Sequence, residues 1–158
     1  MKNANLFTLA GEVVPVYRTG KPKPSELPKF TSSLETEKYL REIWQNHCTD
    51  INVSETFVAL YLNRANKLVG WEIISKGSAS ACVVDVQNII RSALKLNAQA
   101  ITLAHNHPSG NATPSEPDRK ITQKVKQAAA LFDITLLDHI ILTPEPGKYF
   151  GFADNGLI

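Results

Sequence analysis

Apolar positions along the chain fall into short runs separated by Gly, Pro and Asn clusters, and their period changes from segment to segment. Leu34, Tyr39, Leu40, Ile43 and Trp44 recur at near-helical spacing between Ser33 and His47, which predicts a first helix with Ser33 as its cap. Phe57 to Leu62 is a compact apolar run. The polar stretch Asn63-Arg64-Ala65-Asn66-Lys67 turns the chain, and Leu68 to Ile74 resumes the run, so the pair reads as a hairpin. After Gly77, Ala81-Cys82-Val83-Val84 continues the strand character. Asp85 then caps a helix whose stripe is Val86, Ile89, Ile90, Ala93 and Leu94 and which stops near Asn97. Ala100 to His105 is a strand of the buried type. Ile121, Val125, Ala128 and Phe132 mark another amphipathic helix, and Ile134 to Leu142 a further strand before the turn Pro144-Glu145-Pro146-Gly147. The order βαβαβ predicts an α/β sandwich, a mixed β-sheet flanked by helices.

The first 33 residues break this pattern. Pro15, Pro22, Pro24 and Pro28, interleaved with Lys21, Lys23 and Lys29, predict an N-terminal Pro-rich arm ahead of one domain spanning 34–158. Within the arm, Val13-Val14-Pro15-Val16-Tyr17 is suited to adding an edge strand, where proline is tolerated.

Composition narrows the class. At 158 residues the chain can bury an ordinary core without disulfides or structural metals, and 43% hydrophobic with 20% charged residues is a globular rather than a disordered composition. The formal net charge of +2, with no basic cluster beyond Lys120, Lys124 and Lys126, gives no electrostatic case for tight nucleic-acid binding. Cys48 and Cys82 stand far apart and outside any C-x-x-C pattern, which predicts two reduced, partly buried thiols rather than a disulfide or a thiolate zinc site. There is no basic-then-apolar leader and no apolar stretch near the roughly 20 residues of a membrane span, so a cytoplasmic location is expected. Nothing in the pattern specifies an oligomeric state.

The chemistry concentrates in His105-Asn106-His107-Pro108-Ser109-Gly110 and Pro114-Ser115-Glu116-Pro117-Asp118. Side chains two apart on a strand share a face, so His105 and His107 can aim at one ion. Pro108, Gly110 and Pro114 supply the turn that brings Asp118 back to it. Two nitrogens, one oxygen and an open fourth position describe a catalytic zinc centre holding one ion. Ser-x-x-Asp is also a capping pattern, so Ser115 and Asp118 are expected to open the next helix, with Asp118 presented from its first turn. Hydrolysis of an amide needs a base as well, and Glu55 and Glu72 are both placed for it. Each has a plain alternative: Glu55 as a polar residue at a strand start, Glu72 as the solvent-facing position of a hairpin strand. Asp138 and His139 are adjacent on a strand and face opposite ways, so at most one supports the site, for instance by orienting a ligand histidine through its second nitrogen. His47, at a helix end, reads as a surface residue.

His105-Asn106-His107-Pro108-Ser109-Gly110, Pro114-Ser115, Asp118 and Leu137-Asp138-His139-Ile140-Ile141 together resemble the RadC-like family of JAMM (MPN-plus) domain metalloproteins, over roughly residues 40 to 158. The resemblance implies a mixed sheet flanked by helices, related to the cytidine-deaminase-like sandwich, and zinc held by His105, His107 and Asp118. It further implies Ser115 steadying an oxyanion and a glutamate acid/base just before an aromatic-led strand. Glu55-Thr56-Phe57-Val58 fits that last feature, which selects Glu55 over Glu72. Two departures stand out. Val86-Gln87-Asn88 occupies the place of the Arg-Glu pair that family members usually carry at the opening of that helix, away from the ligands. A Pro-rich arm stands where longer members carry a helix-hairpin-helix module, which weakens an inherited DNA-repair label.

The leading expectation is a zinc-dependent hydrolase of peptide or isopeptide bonds. The alternative is a non-catalytic or DNA-repair-associated binding module of the same family. A zinc deaminase is disfavoured, because the H-x-E and P-C-x-x-C signatures are absent.

Overall fold

The computed structural model of the chain describes residues 25–77 and 84–158. The edge strand expected at Val13 to Tyr17, most of the Pro-rich arm, and the strand character expected at Ala81, Cys82 and Val83 lie outside the described residues.

Eight elements follow in order: α1 (Ser33–His47), β1 (Thr56–Leu62), β2 (Leu68–Lys76), α2 (Val86–Lys95), β3 (Ala100–Asn106), α3 (Glu116–Ala130), β4 (Thr135–Leu142) and β5 (Tyr149–Gly151). The strands form one sheet in the order β2-β1-β3-β4-β5. β1 runs antiparallel to β2 and β3, β4 is parallel to β3, and β5 closes the edge antiparallel to β4. The mixed sheet flanked by helices is as expected. The helix expected before the hairpin is α1, and the element not expected is a fifth strand after the 144–147 turn. β5 is three residues long, too short for an alternating pattern to reveal.

β1 shows why the sheet is central. All seven of its residues are buried, and their period of two divides them between the faces. Phe57, Ala59 and Tyr61 pack with Ile89, Ile90, Ala93, Val125 and Ala129 of α2 and α3. Val58, Leu60 and Leu62 pack with Leu40, Ile43 and Trp44 of α1. Each large aliphatic side chain removed from water in this way is worth about 1.5–3 kcal/mol.

Helix boundaries and stripes differ from expectation in a few places, each for a local reason. Ser32, not Ser33, caps α1, accepting the Glu35 N–H at 3.2 Å, while the Ser33 hydroxyl turns inward to Asp138 Oδ2 at 2.7 Å. Leu34, Leu94 and Phe132 are exposed rather than buried. On α1 the inner places go instead to Ser33, Thr36 and Glu37. Glu37 is buried beneath Arg41 at 2.6 Å, and Arg41 donates to the carbonyls of Thr143 at 2.8 Å and Glu145 at 2.9 Å. That network ties α1 to the β4–β5 turn. α3 ends at Ala130, and its inner face is Thr122, Val125 and Ala129, so Phe132 falls beyond the helix.

Residues just before α1 already belong to the packed body. Phe30 is buried, its N–H bonds to the Asn66 carbonyl, and Pro28 accepts from the Leu68 N–H. His47 is exposed and lies against Trp71, and Cys48 is half-buried, its thiol pushed up to about 11 by burial. No helix among the described residues is long and apolar enough to cross a membrane.

Candidate metal centre

Ile101, Leu103 and His105 share the β3 face that meets α2 and α3, so the strand delivers His105 to the edge of a dry core, buried and stacked on Phe57 at 5.7 Å. His107 lies one residue past the strand, but its N–H still bonds to the Leu142 carbonyl at 2.8 Å, which preserves the two-residue step. The chain then reverses. Gly110 takes φ +77°, a left-handed conformation natural to glycine, and its N–H returns to the His107 carbonyl at 3.1 Å. Five residues on, Ser115 caps α3 in a full capping box with Asp118, with Pro117 in the first turn. Asp118 Oδ2 accepts from the Ser115 N–H at 2.7 Å and the Ser115 hydroxyl at 2.5 Å. The other oxygen, Oδ1, faces His105.

The three expected ligands converge. The Nε2 atoms of His105 and His107 are 2.9 Å apart, Asp118 Oδ1 is 3.1 Å from His105 Nε2, and Asp118 Oδ2 is 3.6 Å from His107 Nε2. All three side chains offer donor atoms within 4.8 Å of one another. Tetrahedral zinc with bonds of about 2.0–2.1 Å spaces its donors by about 3.3 Å, and the two imidazole nitrogens, 2.9 Å apart, are near that spacing, with one Asp118 oxygen close to each. The hydrogen bonds agree with that use. His107 Nδ1 lies 2.7 Å from the Asn111 carbonyl, which can only accept, so Nδ1 carries the proton and Nε2 of the neutral ring presents a lone pair to the cluster. The donor set therefore fits a divalent cation of borderline softness.

Electrostatics point the same way. Burial opposes ionisation of Asp118, but the two imidazoles and the Ser115 hydroxyl outweigh it and hold the carboxyl well below the ordinary carboxylate range. Asp118 in turn raises His107 above its ordinary value against burial, and the charge of Glu55 adds to the effect. The sign of the pH dependence follows. In the metal-free protein, the depressed Asp118 contributes stability that is present above the ordinary carboxylate value and lost in strong acid. The raised His107 contributes stability that is complete below about 6.5 and lost as pH rises through its own higher value. Urea unfolding of metal-free wild type and His107→Ala at pH 5 and pH 8 should therefore show the gap between them narrowing at the higher pH. A gap that widens would contradict the assignment.

A cavity of about 700 Å³ opens over the cluster, lined by Glu55, Phe57, Val84, Ser115, Pro117 and Ile121 among others. Glu55 precedes β1 and reaches this cavity; its own carbonyl accepts from the Gly77 N–H at 2.8 Å. Glu72 instead takes the hydroxyl of Tyr61, and it is not part of the lining. Of the two glutamates, Glu55 is thus the one beside the cluster.

Three neighbours do not emerge as site residues from sequence alone, or emerge only in part. His139 lies beneath His105, its Nε2 2.8 Å from His105 Nδ1, and burial holds its pKa well below the ordinary histidine value. Asp138 faces the opposite side of the sheet, toward Ser33, so His139 is the one of the pair that supports the site. Thr122 contacts His139 Nδ1 at 2.6 Å, one helical turn after Asp118. Asn106, between the two histidines and on the other face, is fully buried and uses every hydrogen-bonding site on its amide. Oδ1 accepts from Trp44 Nε1 at 3.1 Å and the Thr56 N–H at 2.8 Å; Nδ2 donates to the carbonyls of Ile51 at 2.9 Å and Ser54 at 3.0 Å. These bonds hold the loop that carries Glu55. The usable signals were period two for Asn106 and the i+4 step from Asp118 for Thr122.

Comparison with known proteins shows the family of the chain. A family profile described as a RadC-like JAB domain matches residues 30–157. A UPF0758 protein of Porphyromonas gingivalis is 41% identical over 133 residues, covering 84% of this chain and 57% of the relative. The UPF0758 protein YfjY of Escherichia coli K12 is 43% identical over 104 residues, 66% of this chain and 64% of its own length. The UPF0758 protein PSHAa2643 of Pseudoalteromonas translucida is 45% identical over 104 residues, 66% of this chain and 46% of its own. The chain thus spans about half the length of the curated relatives it matches.

Proposed function

This chain belongs to the RadC-like JAB domain family, and from that membership and the geometry of the centre we propose that it is a zinc-dependent hydrolase of peptide or isopeptide bonds. The observation that carries the proposal is the convergence of His105, His107 and Asp118 in a cavity that Glu55 also lines. His105 Nε2, His107 Nε2 and a carboxylate oxygen of Asp118 would hold the ion. When bound, zinc supplies Lewis acidity, which brings the pKa of water down to about 7. The protein's own residues do the rest. The Glu55 carboxylate accepts the proton of the attacking water and delivers it to the leaving nitrogen, the step without which an amine does not depart. Phe57, Val84, Pro117 and Ile121 give the cavity apolar walls that limit water around the reacting bond. Ser115 holds Asp118 in place through two hydrogen bonds, and turning its O–H toward the cavity would let it steady an oxyanion.

The test is hydrolysis by the zinc-loaded chain of a fluorogenic library containing both backbone peptides and lysine isopeptides. Activity should vanish with chelator and return with zinc. Glu55→Gln should lower turnover about 10²- to 10⁴-fold while leaving zinc content unchanged. Full activity in Glu55→Gln would remove the assigned acid/base. Absence of turnover on every linkage, by a protein that binds zinc, would remove the hydrolase.

A further inference from the structure

We infer that Thr122 and His139 form a fixed hydrogen-bond relay that sets the tautomer of His105, making both of them positioning residues for the metal centre. The inference rests on the zinc-site reading above and goes beyond it, because it concerns residues that touch neither ion nor substrate.

The argument is a count of protons. Thr122 Oγ1 lies 2.5 Å from the Asp118 backbone carbonyl, which can only accept, and 2.6 Å from His139 Nδ1. A hydroxyl has one proton. If it were given to His139, two oxygens would face each other at 2.5 Å with no hydrogen between them. The Thr122 proton therefore goes to Asp118, and the contact with His139 is made by a proton on His139 Nδ1. The fully buried His139 ring is neutral, so with its proton on Nδ1 its Nε2 is an acceptor. It faces His105 Nδ1 at 2.8 Å, and that bond then requires the proton to sit on His105 Nδ1. In the neutral His105 ring, the form that binds a metal, this leaves the lone pair on Nε2, the atom that faces His107 and Asp118.

Geometry fixes the relay as firmly as the proton count. His139 is stacked on Phe152 with ring centroids 4.8 Å apart and planes 19° from parallel, and it lies at 5.4 Å from Phe57, so its ring is held on two sides. The relay starts at the backbone of Asp118, itself an expected ligand, and ends at His105. One hydroxyl thus ties the helix that supplies the oxygen ligand to the strand that supplies the first nitrogen. Replacing Thr122 by valine keeps the shape and removes the proton. His139 can then carry its proton on Nε2, donate to His105 Nδ1, and drive the His105 proton onto Nε2, where it blocks the ligand position.

The experiment uses the full chain and two readouts, neither of which is catalysis: ring ¹⁵N–¹H correlation spectra of the metal-free protein, and zinc affinity by competition with a chromophoric chelator. Wild type should show His105 protonated at Nδ1. Thr122→Val should shift that proton toward Nε2 and weaken zinc binding about 10- to 100-fold, and Thr122→Ser should restore both. Should Thr122→Val fail to fold, His139→Gln tests the same relay, since its amide oxygen can accept from His105 while its NH₂ donates to Thr122; it should bind zinc close to wild type, with His139→Leu weakened. Wild-type His105 protonated at Nε2 would overturn the relay, as would equal zinc affinity in folded Thr122→Val. If wild type binds no zinc, the hydrolase proposal fails, and the relay stands or falls on the His105 tautomer alone.

Discussion

Replacing His107 by alanine is expected to weaken zinc binding on the order of 100-fold while leaving the fold intact. Zinc sites with four protein ligands bind with apparent free energies of about 10–16 kcal/mol, which apportions about 3 kcal/mol to each ligand, and about 1.4 kcal/mol is tenfold in affinity. His107 is the informative ligand to remove because it lies past the end of β3 and is only partly buried, so its ring contributes little to the core. Its Nδ1 bond to Asn111 serves only to aim it. Chelator competition on the purified variant measures the effect. Affinity within threefold of wild type would place the ion elsewhere.

Asn106→Ala should have the largest effect on stability, a loss of about 4 kcal/mol, a substantial fraction of the roughly 5–15 kcal/mol that holds a domain of this size folded. Its amide oxygen accepts from both the Thr56 N–H and the Trp44 indole N–H, and both residues are buried. Each stranded donor costs about 1–3 kcal/mol, and the carbonyls of Ile51 and Ser54 add to the sum. Asn106→Asp gives a sharper comparison: it keeps an acceptor for both donors but turns a carboxylate oxygen toward two carbonyls. It should be strongly destabilised at neutral pH and partly recover in mild acid, where protonation returns one donor. Urea unfolding of the zinc-free variants reads both. A loss under 1 kcal/mol for Asn106→Ala would show that the 48–55 loop is held by something else.

How legible these features were depends on whether the chemistry was local. His105 and His107 declare themselves because a strand puts alternate residues on one face, and Asp118 because Ser115-x-x-Asp118 is a capping signal that fixes where its carboxylate emerges. The same alternation that pairs the histidines sends Asn106 the other way, into a loop fifty residues upstream, and nothing in its neighbours names that partner. Glu55 and Glu72 both flank apolar strand residues and look alike in sequence. What separates them is the Tyr61 hydroxyl, which meets Glu72 only once β1 and β2 pair. Thr122 reads as an ordinary helical position until α3 is laid against β4. The exposed Leu34, Leu94 and Phe132 show the opposite limit: counting apolar spacings cannot know that polar Ser33 and Glu37 have buried partners waiting, or that α3 stops at Ala130. Overall topology was legible where segments were long, and β5, at three residues, was not.

Diffraction from crystals grown with one equivalent of zinc, with anomalous data at the zinc absorption edge, addresses the metal centre most directly. A single peak is expected within about 2.0–2.2 Å of His105 Nε2, His107 Nε2 and an oxygen of Asp118. A zinc-containing crystal with no peak among these three side chains, or with the two imidazoles turned apart, would contradict it.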